Sequence, residues 1–259
     1  MTIRFSPRDM VSLTILAEMY GAPIDVVAEV LGVSINRAYR ITARWEEGGM
    51  ISGRRMRPVP GPSWIWPTKP AAEVLLGRPV RYWVPTPKMA AHTKAALQLR
   101  LALTGMDLDR WISERALRAE VGMTQAGKPR PHIHDGRYYT ETGELWAIEV
   151  ELTAKNIVTA RTSVFQAWKV AQTAECVGVA YYCRGEAAKN VIRTVTGALD
   201  LSDGPRMRLF DLDEFLAKQK VQPSSPDLRP GLRVIAGGAA DHETPQVTDR
   251  TENGKAVSQ

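Results

Sequence analysis

Three carboxylates carry the most chemistry in this chain. Asp135 lies in His134-Asp135-Gly136; Glu149 and Glu151 lie in Ile148-Glu149-Val150-Glu151-Leu152-Thr153-Ala154-Lys155. From Trp146 to Leu152 the side chains alternate as in a strand. Trp146, Ile148, Val150 and Leu152 share one face, and Ala147, Glu149 and Glu151 share the other. Asp135 comes from the strand before, across the polar hairpin Glu141-Thr142-Gly143-Glu144. Like charges side by side in a partly buried sheet repel, and a divalent cation removes that cost. Asp135, Glu149 and Glu151 are therefore candidate ligands for Mg²⁺ or Mn²⁺ in a site that hydrolyses phosphodiesters. Glu151 would complete the acidic cluster or orient the attacking water. Lys155, leaning back from the strand's end, would offset charge on the phosphate oxygens. The alternative is a solvated sheet face with three charges and no ion, although strands disfavour both acidic residues and like-charged neighbours.

Other residues near this stretch invite chemistry more weakly. His132 and His134 would share a strand face, but no third soft ligand has a suitable spacing. Arg137 reads as a surface strand residue or a second cation near Asp135. His92 reads as a packing or capping residue near the start of a helix.

The elements that must position these groups follow from periodicity and punctuation. Helices are expected at 89–104, Ser113–Val121, from about Asn156 to Ala174 with Val164, Trp168 and Ala171 inward, at 185–196 and at 212–218. A Gly- and Pro-rich loop follows the second of them. Val177–Tyr182 is a continuous apolar run that suits a buried central strand, and Met207–Leu212 is another strand.

Ahead of this half, residues 7 to about 76 suggest a small helical unit. A first helix is marked by Met10, Leu13, Leu16 and Met19, with Ser6-Pro7 at its start and Gly21 at its end. A second runs Ile24–Leu31. Gly32-Val33-Ser34 turns the chain, with Ser34 placed to cap a third helix from Ile35 to Glu47, stopped by Gly48-Gly49. Two strands, 50–55 and 63–66, flank a tip from Pro58 to Pro62, and a short helix begins near Pro70. Helix, helix, tight turn, helix, hairpin is the order of a winged helix-turn-helix. On the third helix Ala38, Ile41 and Trp45 face inward, while Asn36, Arg37, Arg40 and Arg44 face out. Arginine and asparagine pair with base edges and phosphates. Arg54, Arg55 and Arg57 sit on the expected wing. A solvated basic face on a protein-binding module is the bland alternative.

The second half, read as α, β, β, α, β, α, β over about 89–218, resembles the restriction-endonuclease-like superfamily with its PD-(D/E)xK signature. Asp135 stands at the signature Asp, although His134 replaces the Pro. Glu149 stands at the (D/E), and Glu151 stands where Lys is usual. Glu114, on the preceding helix, stands where many members bring in another acid. A narrower resemblance rests on His92-x4-Leu97-Gln98-Leu99-Arg100-Leu101, Trp111-x-Ser113-Glu114-Arg115, His134-Asp135-Gly136 and Glu149-Val150-Glu151-x-Thr153-x-Lys155. Over roughly 7–200 the chain is similar to the replication-relaxation proteins of actinobacterial plasmids, phages and integrative elements. That resemblance implies a DNA-associated role on mobile elements, and cleavage less firmly.

The expected fold is thus α+β: a winged helix-turn-helix at 1–78, a linker at 79–88, a restriction-endonuclease-like α/β unit with a mixed central sheet at 89–220 and a disordered tail at 221–259. The 259 residues, 44% hydrophobic, suffice for two cores. The formal net charge of +6 and pI near 9.4 fit a nucleic-acid partner without requiring one. No apolar run approaches the ~18 residues of a membrane span, and no secretion signal stands at the start. Cys176 and Cys183 do not make a disulfide framework or a zinc ribbon and read as buried thiols, which points to the reducing cytoplasm. Three functions stay open: a DNA endonuclease, a non-catalytic DNA-binding regulator of replication or transcription, and an adaptor for replication or transfer proteins. Double-stranded DNA is the expected partner, with a homodimer reading two half-sites.

Overall fold

A computed structural model describes residues 3–122 and 131–221. Part of the Gly- and Pro-rich loop and the tail from 222 onward lie outside these residues.

The chain opens with helix α1 (Pro7–Glu18), capped reciprocally by Ser6 and Asp9: the Ser6 hydroxyl accepts from the Asp9 amide, and the Asp9 carboxylate accepts from the Ser6 amide. Leu13 and Leu16 are buried as expected, but Met10 is exposed. Asp9 turns inward instead, because the Trp45 indole N–H donates to its Oδ1 at 3.1 Å. Strand β1 (Ala22–Pro23) leads into α2 (Ile24–Leu31), which Gly32 ends at φ 60°, in the left-handed region. Helix α3 (Ile35–Glu47) follows. Ser34 occupies its cap position, yet only its backbone carbonyl is used, by the amides of Arg37 and Ala38. The inward residues of α3 are Ala38, Thr42 and Trp45. Thr42 takes the place expected for Ile41, since its hydroxyl is satisfied by the Tyr39 carbonyl at 3.2 Å.

The expected hairpin is barely a hairpin. Strand β2 is only Trp64–Ile65, and its ladder partner is β1. The 50–56 arm touches it through isolated bridges at Ile51–Pro67 and Met56–Trp64. Pro58, Pro60 and Pro62 withhold amide donors from the tip, so no longer ladder can form. Helix α4 (Lys69–Leu76), capped by the Thr68 hydroxyl, closes this half.

Irregular chain then leads to α5 (Pro87–Thr104), β3 (Trp111–Ser113), α6 (Glu114–Val121), β4 (Gly136–Tyr139), β5 (Leu145–Glu151), α7 (Ile157–Thr173), β6 (Gly178–Cys183), α8 (Gly185–Ala198), β7 (Arg206–Asp211) and α9 (Leu212–Val221). Val221, expected in the tail, closes α9. The five strands form one mixed sheet in the order β3-β4-β5-β6-β7. The two pairings from β3 to β5 are antiparallel, and the two from β5 to β7 are parallel. The edge strand β3 escaped the sequence reading because three residues show no period.

Both faces of the sheet are covered. Ala147, Val179, Tyr181 and Cys183 pack with α7 and α8 residues. Trp146, Ile148, Val150, Ala180 and Tyr182 belong to a second cluster that continues through Leu97 and Leu99 of α5 into Leu13, Ile24 and Trp45 of the first half. Two-sided burial explains why β6 reads as an unbroken apolar run. Val164 and Ala171 of α7 are buried; Trp168 is only half-buried, because its indole N–H reaches out to the Pro205 carbonyl at 3.0 Å. Cys176 and Cys183 are buried free thiols, and burial pushes both up in pKa, Cys183 to about 12.

Polar bonds also join the halves. The fully buried Arg100 pairs with Glu18 at 3.0 Å, Arg115 donates to the Ala17 carbonyl at 2.7 Å, and Lys94 pairs with Asp25 at 2.8 Å. Among the described residues, no helix is long and apolar enough to cross a membrane.

Candidate functional site

The register Gly136–Ile148 between β4 and β5 sets Asp135 beside Glu149. The Asp135 amide donates to the Ile148 carbonyl at 3.1 Å, and its Oδ2 accepts from the Val150 amide at 2.8 Å. The side chain thus continues the ladder where β4 has not yet begun, which fixes the carboxylate in place. The same oxygen accepts from His92 Nε2, on α5, at 3.1 Å. Burial works against charging His92. The bond and charge of Asp135, then the charges of Glu114 and Glu149, outweigh it and raise the imidazole to about 9.

Glu149 and Glu151 project from the α7/α8 face, as the alternation of β5 requires, and both are 7% exposed. Glu149 Oε1 is 2.7 Å from His132 Nε2. Burial pushes Glu149 up to about 7 and the Asp135 and Glu151 charges add to that, while His132 opposes it. Burial likewise resists protonating His132, and the Glu149 bond overcomes it and raises its pKa. Glu151 is held by Lys155, which folds back between the end of β5 and the start of α7. Glu114, in the first turn of α6, accepts from Arg118 and lines a narrow gap of about 20 Å³ with His92, Asp135 and Tyr20.

The five residues singled out from the sequence, Glu114, Asp135, Glu149, Glu151 and Lys155, thus stand around one end of the β4–β5 pair. Each carboxylate of the trio faces its own partner: Asp135 with His92, Glu149 with His132, Glu151 with Lys155. As these side chains stand, the trio does not point at one spot. Among the described residues, the donor atoms that converge within 4.8 Å are those of His132, His134 and Glu149. Yet His134 is spent. It is fully buried, its Nε2 donates to the Ala167 carbonyl at 2.9 Å, and its Nδ1 accepts from Arg137 Nε at 3.3 Å. Burial, with Arg137 and His132 adding, lowers it to about 4. Ligation through His134 would cost one of those bonds. Hard carboxylate oxygens are the donors that suit Mg²⁺ or Mn²⁺, whereas the converging group here contains one carboxylate and two imidazoles.

His92, His132 and Arg137 depart from their sequence readings: His132 and His134 lie ahead of β4 rather than on a strand face, and Glu149 converges on them where no suitable third ligand was expected. His92 is an ion-pair partner of Asp135, 43 residues away, rather than a cap or a packing residue. The one signal for it was its place in the His92-x4-Leu97 motif. Arg137, read as a surface strand residue, orients His134.

A second charged region lies on α3. Asn36, Arg37, Arg40 and Arg44 are all exposed. The three arginines line an open groove of about 640 Å³ together with Arg4 and Arg8, which helix periodicity had not flagged. Among the described residues none of the three forms an ion pair; Arg44 donates to the Arg4 carbonyl at 2.8 Å. Arg54 and Arg57 are exposed on the 50–67 segment. Arg55 instead pairs with Glu46 at 3.3 Å and lies over the Tyr39 ring, bound to α3 itself.

Comparison of the chain with protein-family models, with curated proteins and with solved structures finds no match.

Proposed function

We propose that this chain binds double-stranded DNA through α3 and carries, in its sheet half, a metal-dependent site for phosphodiester hydrolysis. On this reading α1–α3 and the 50–67 segment act as a winged helix-turn-helix, and residues 89–220 are a restriction-endonuclease-like unit. The replication-relaxation resemblance would put the protein on a plasmid, phage or integrative element. The observation that carries the reading is the juxtaposition of Asp135, just ahead of β4, with Glu149 of β5, and of Glu151 and Lys155 next to them. Acids side by side in a sheet covered on both faces are costly without countercharge.

Asp135 and Glu149 would hold Mg²⁺ or Mn²⁺. Such an ion supplies charge to offset the phosphate and makes a bound water more acidic. Asp135 is oriented for this by the Val150 amide. Glu151 accepts a proton from the attacking water once Lys155 turns from it to the phosphate oxygens. His92 and His132 carry Nε2 protons that neutralise the carboxylates until an ion takes over that task. Across the molecule, Arg37, Arg40 and Arg44 hold phosphates and read base edges.

The self-neutralised trio favours a second reading, in which the sheet half is a non-catalytic scaffold of a DNA-binding regulator. Nicking of supercoiled plasmid in Mg²⁺ or Mn²⁺ separates the two. The nuclease reading expects open circles, and a loss in Asp135→Ala and Glu149→Ala beyond the roughly 10–100-fold that removal of an outer-shell partner costs. Intact duplex binding with no nicking by the unaltered protein leaves the scaffold.

A further inference from the structure

The chain between α4 and α5 builds a cleft that the duplex-binding helix does not use. Its volume is about 730 Å³, and its walls include Tyr20, Arg78, Arg81, Tyr82, Trp83 and Arg118. That size falls in the ~300–1,000 Å³ range of ligand sites. Four arginines line it (these three and Arg115) against one carboxylate, Glu114. Tyr82 is 48% exposed, and Arg81 is exposed beside it. Tyr20 and Trp83 pack ring against ring, with centroids 5.6 Å apart and planes 35° from each other. Tyr20 holds its place at φ 70°, a left-handed backbone that side chains other than glycine rarely take. The Arg115 guanidinium lies 4.9 Å from its ring centre and is itself pinned by the carbonyls of Ala17 and Arg81. Trp83 also packs on Trp64, with centroids 6.2 Å apart, so this part of the wall is held in place, and Arg118 at its edge is paired with Glu114.

We propose that this cleft binds an unpaired DNA strand, with a base stacked on the exposed Tyr82 ring and phosphates met by Arg78 and Arg81. Base-stacking aromatics interleaved with arginines are what single strands need, because their base faces are free, whereas a duplex hides those faces in its own stack. Tyr20 and Glu114 line both the cleft and the narrow gap that reaches His92 and Asp135. At about 20 Å³ that gap is too small to pass a nucleotide, so the cleft and the carboxylates are neighbours rather than one channel. This inference rests on the nuclease reading for its purpose, since it makes the substrate of that site a strand opened from the duplex bound by α3. It does not rest on it for the binding itself.

The test is fluorescence anisotropy of the full chain with labelled dT12 and, separately, with a labelled duplex, in EDTA so that cleavage plays no part. Tyr82→Ala should weaken dT12 binding about 5- to 150-fold, the range that base–aromatic stacking spans. Arg81→Ala should weaken it too, and Tyr82→Phe should retain most of it. Duplex binding should stay within about twofold in all three. Arg40→Ala should do the reverse. If the unaltered protein fails to bind dT12, or if Tyr82→Ala and Arg81→Ala leave that binding intact, the inference is overturned, whatever the plasmid assay gives. If dT12 binding depends on Tyr82 while plasmid is never nicked, the cleft stands and the nuclease reading alone falls.

Discussion

The arginines of α3 and the carboxylates beside β5 are both clusters of like charge, but they solve that problem in opposite ways. On α3, Arg37, Arg40 and Arg44 point into water, where a high dielectric makes their repulsion cheap and leaves them free for a partner. At the sheet end Glu149 and Glu151 are nearly buried, so each charge has acquired a partner from its own chain. On α3 the charges stay exposed and outside ion pairs, although Arg44 donates to the Arg4 carbonyl. A region inside the fold must carry its own countercharge and can act on a ligand only by exchanging it.

Four measurements would break or sharpen that contrast. The largest effect is expected at α3. The triple variant Arg37→Ala, Arg40→Ala, Arg44→Ala should lose about 10²–10³-fold in duplex affinity at ~0.1 M salt, and its log–log salt slope should fall by up to roughly three. Melting temperature should hardly move, since exposed side chains contribute little to stability. The reverse is expected of Gly136→Ala. A Cβ there collides with the Trp111 ring, one residue from Asp135. Urea denaturation should show a loss of about 1–3 kcal/mol, with duplex binding by the folded fraction unchanged. Lys155→Met leaves the Glu151 carboxylate without its ammonium; because Lys155 is 38% exposed at its side chain, the cost should be about 1 kcal/mol. An exposed pair such as Lys218–Glu214 should cost less when broken the same way. No cost at Lys155 would mean the acidic end is as well solvated as α3.

A further effect is one of slope. His134 is held neutral, with its pKa lowered to about 4 from an ordinary 6.5. The unfolded chain therefore binds a proton that the folded chain refuses between those values. Stability from this residue is complete above about 6.5 and is lost as pH falls toward 4. Denaturation midpoints across that window should fall less steeply in His134→Asn. His92 runs the other way: with its pKa raised to about 9, its contribution is complete below about 6.5 and is lost as pH climbs through 9.

Much of the site was legible because it is local. The alternation of β5 put Glu149 and Glu151 on one face, and a short hairpin put Asp135 on the neighbouring strand. The bend after Glu151 let Lys155 return. The basic face of α3 follows from helical spacing alone. What could not be read were contacts made across distance. His92 meets Asp135 only because α5 packs over the sheet, and Arg4 and Arg8 join the α3 groove only because the chain around the start of α1 is bonded to α3 through Arg44–Arg4 and Trp45–Asp9. The hairpin failed for a different reason. β2 found its ladder partner in β1, some 40 residues earlier, rather than in the proline-interrupted arm beside it.

Side-chain period and turn chemistry, then, determined by themselves which residues share a face, where most helices start and stop, and that Asp135 stands beside Glu149. Only the tertiary structure decided that both faces of the sheet would be covered. From that came the cation each acid recruited and the contrast between a buried, paired acidic end and an open basic helix. Periodicity fixes direction within one element, whereas burial and countercharge depend on what other elements bring against it.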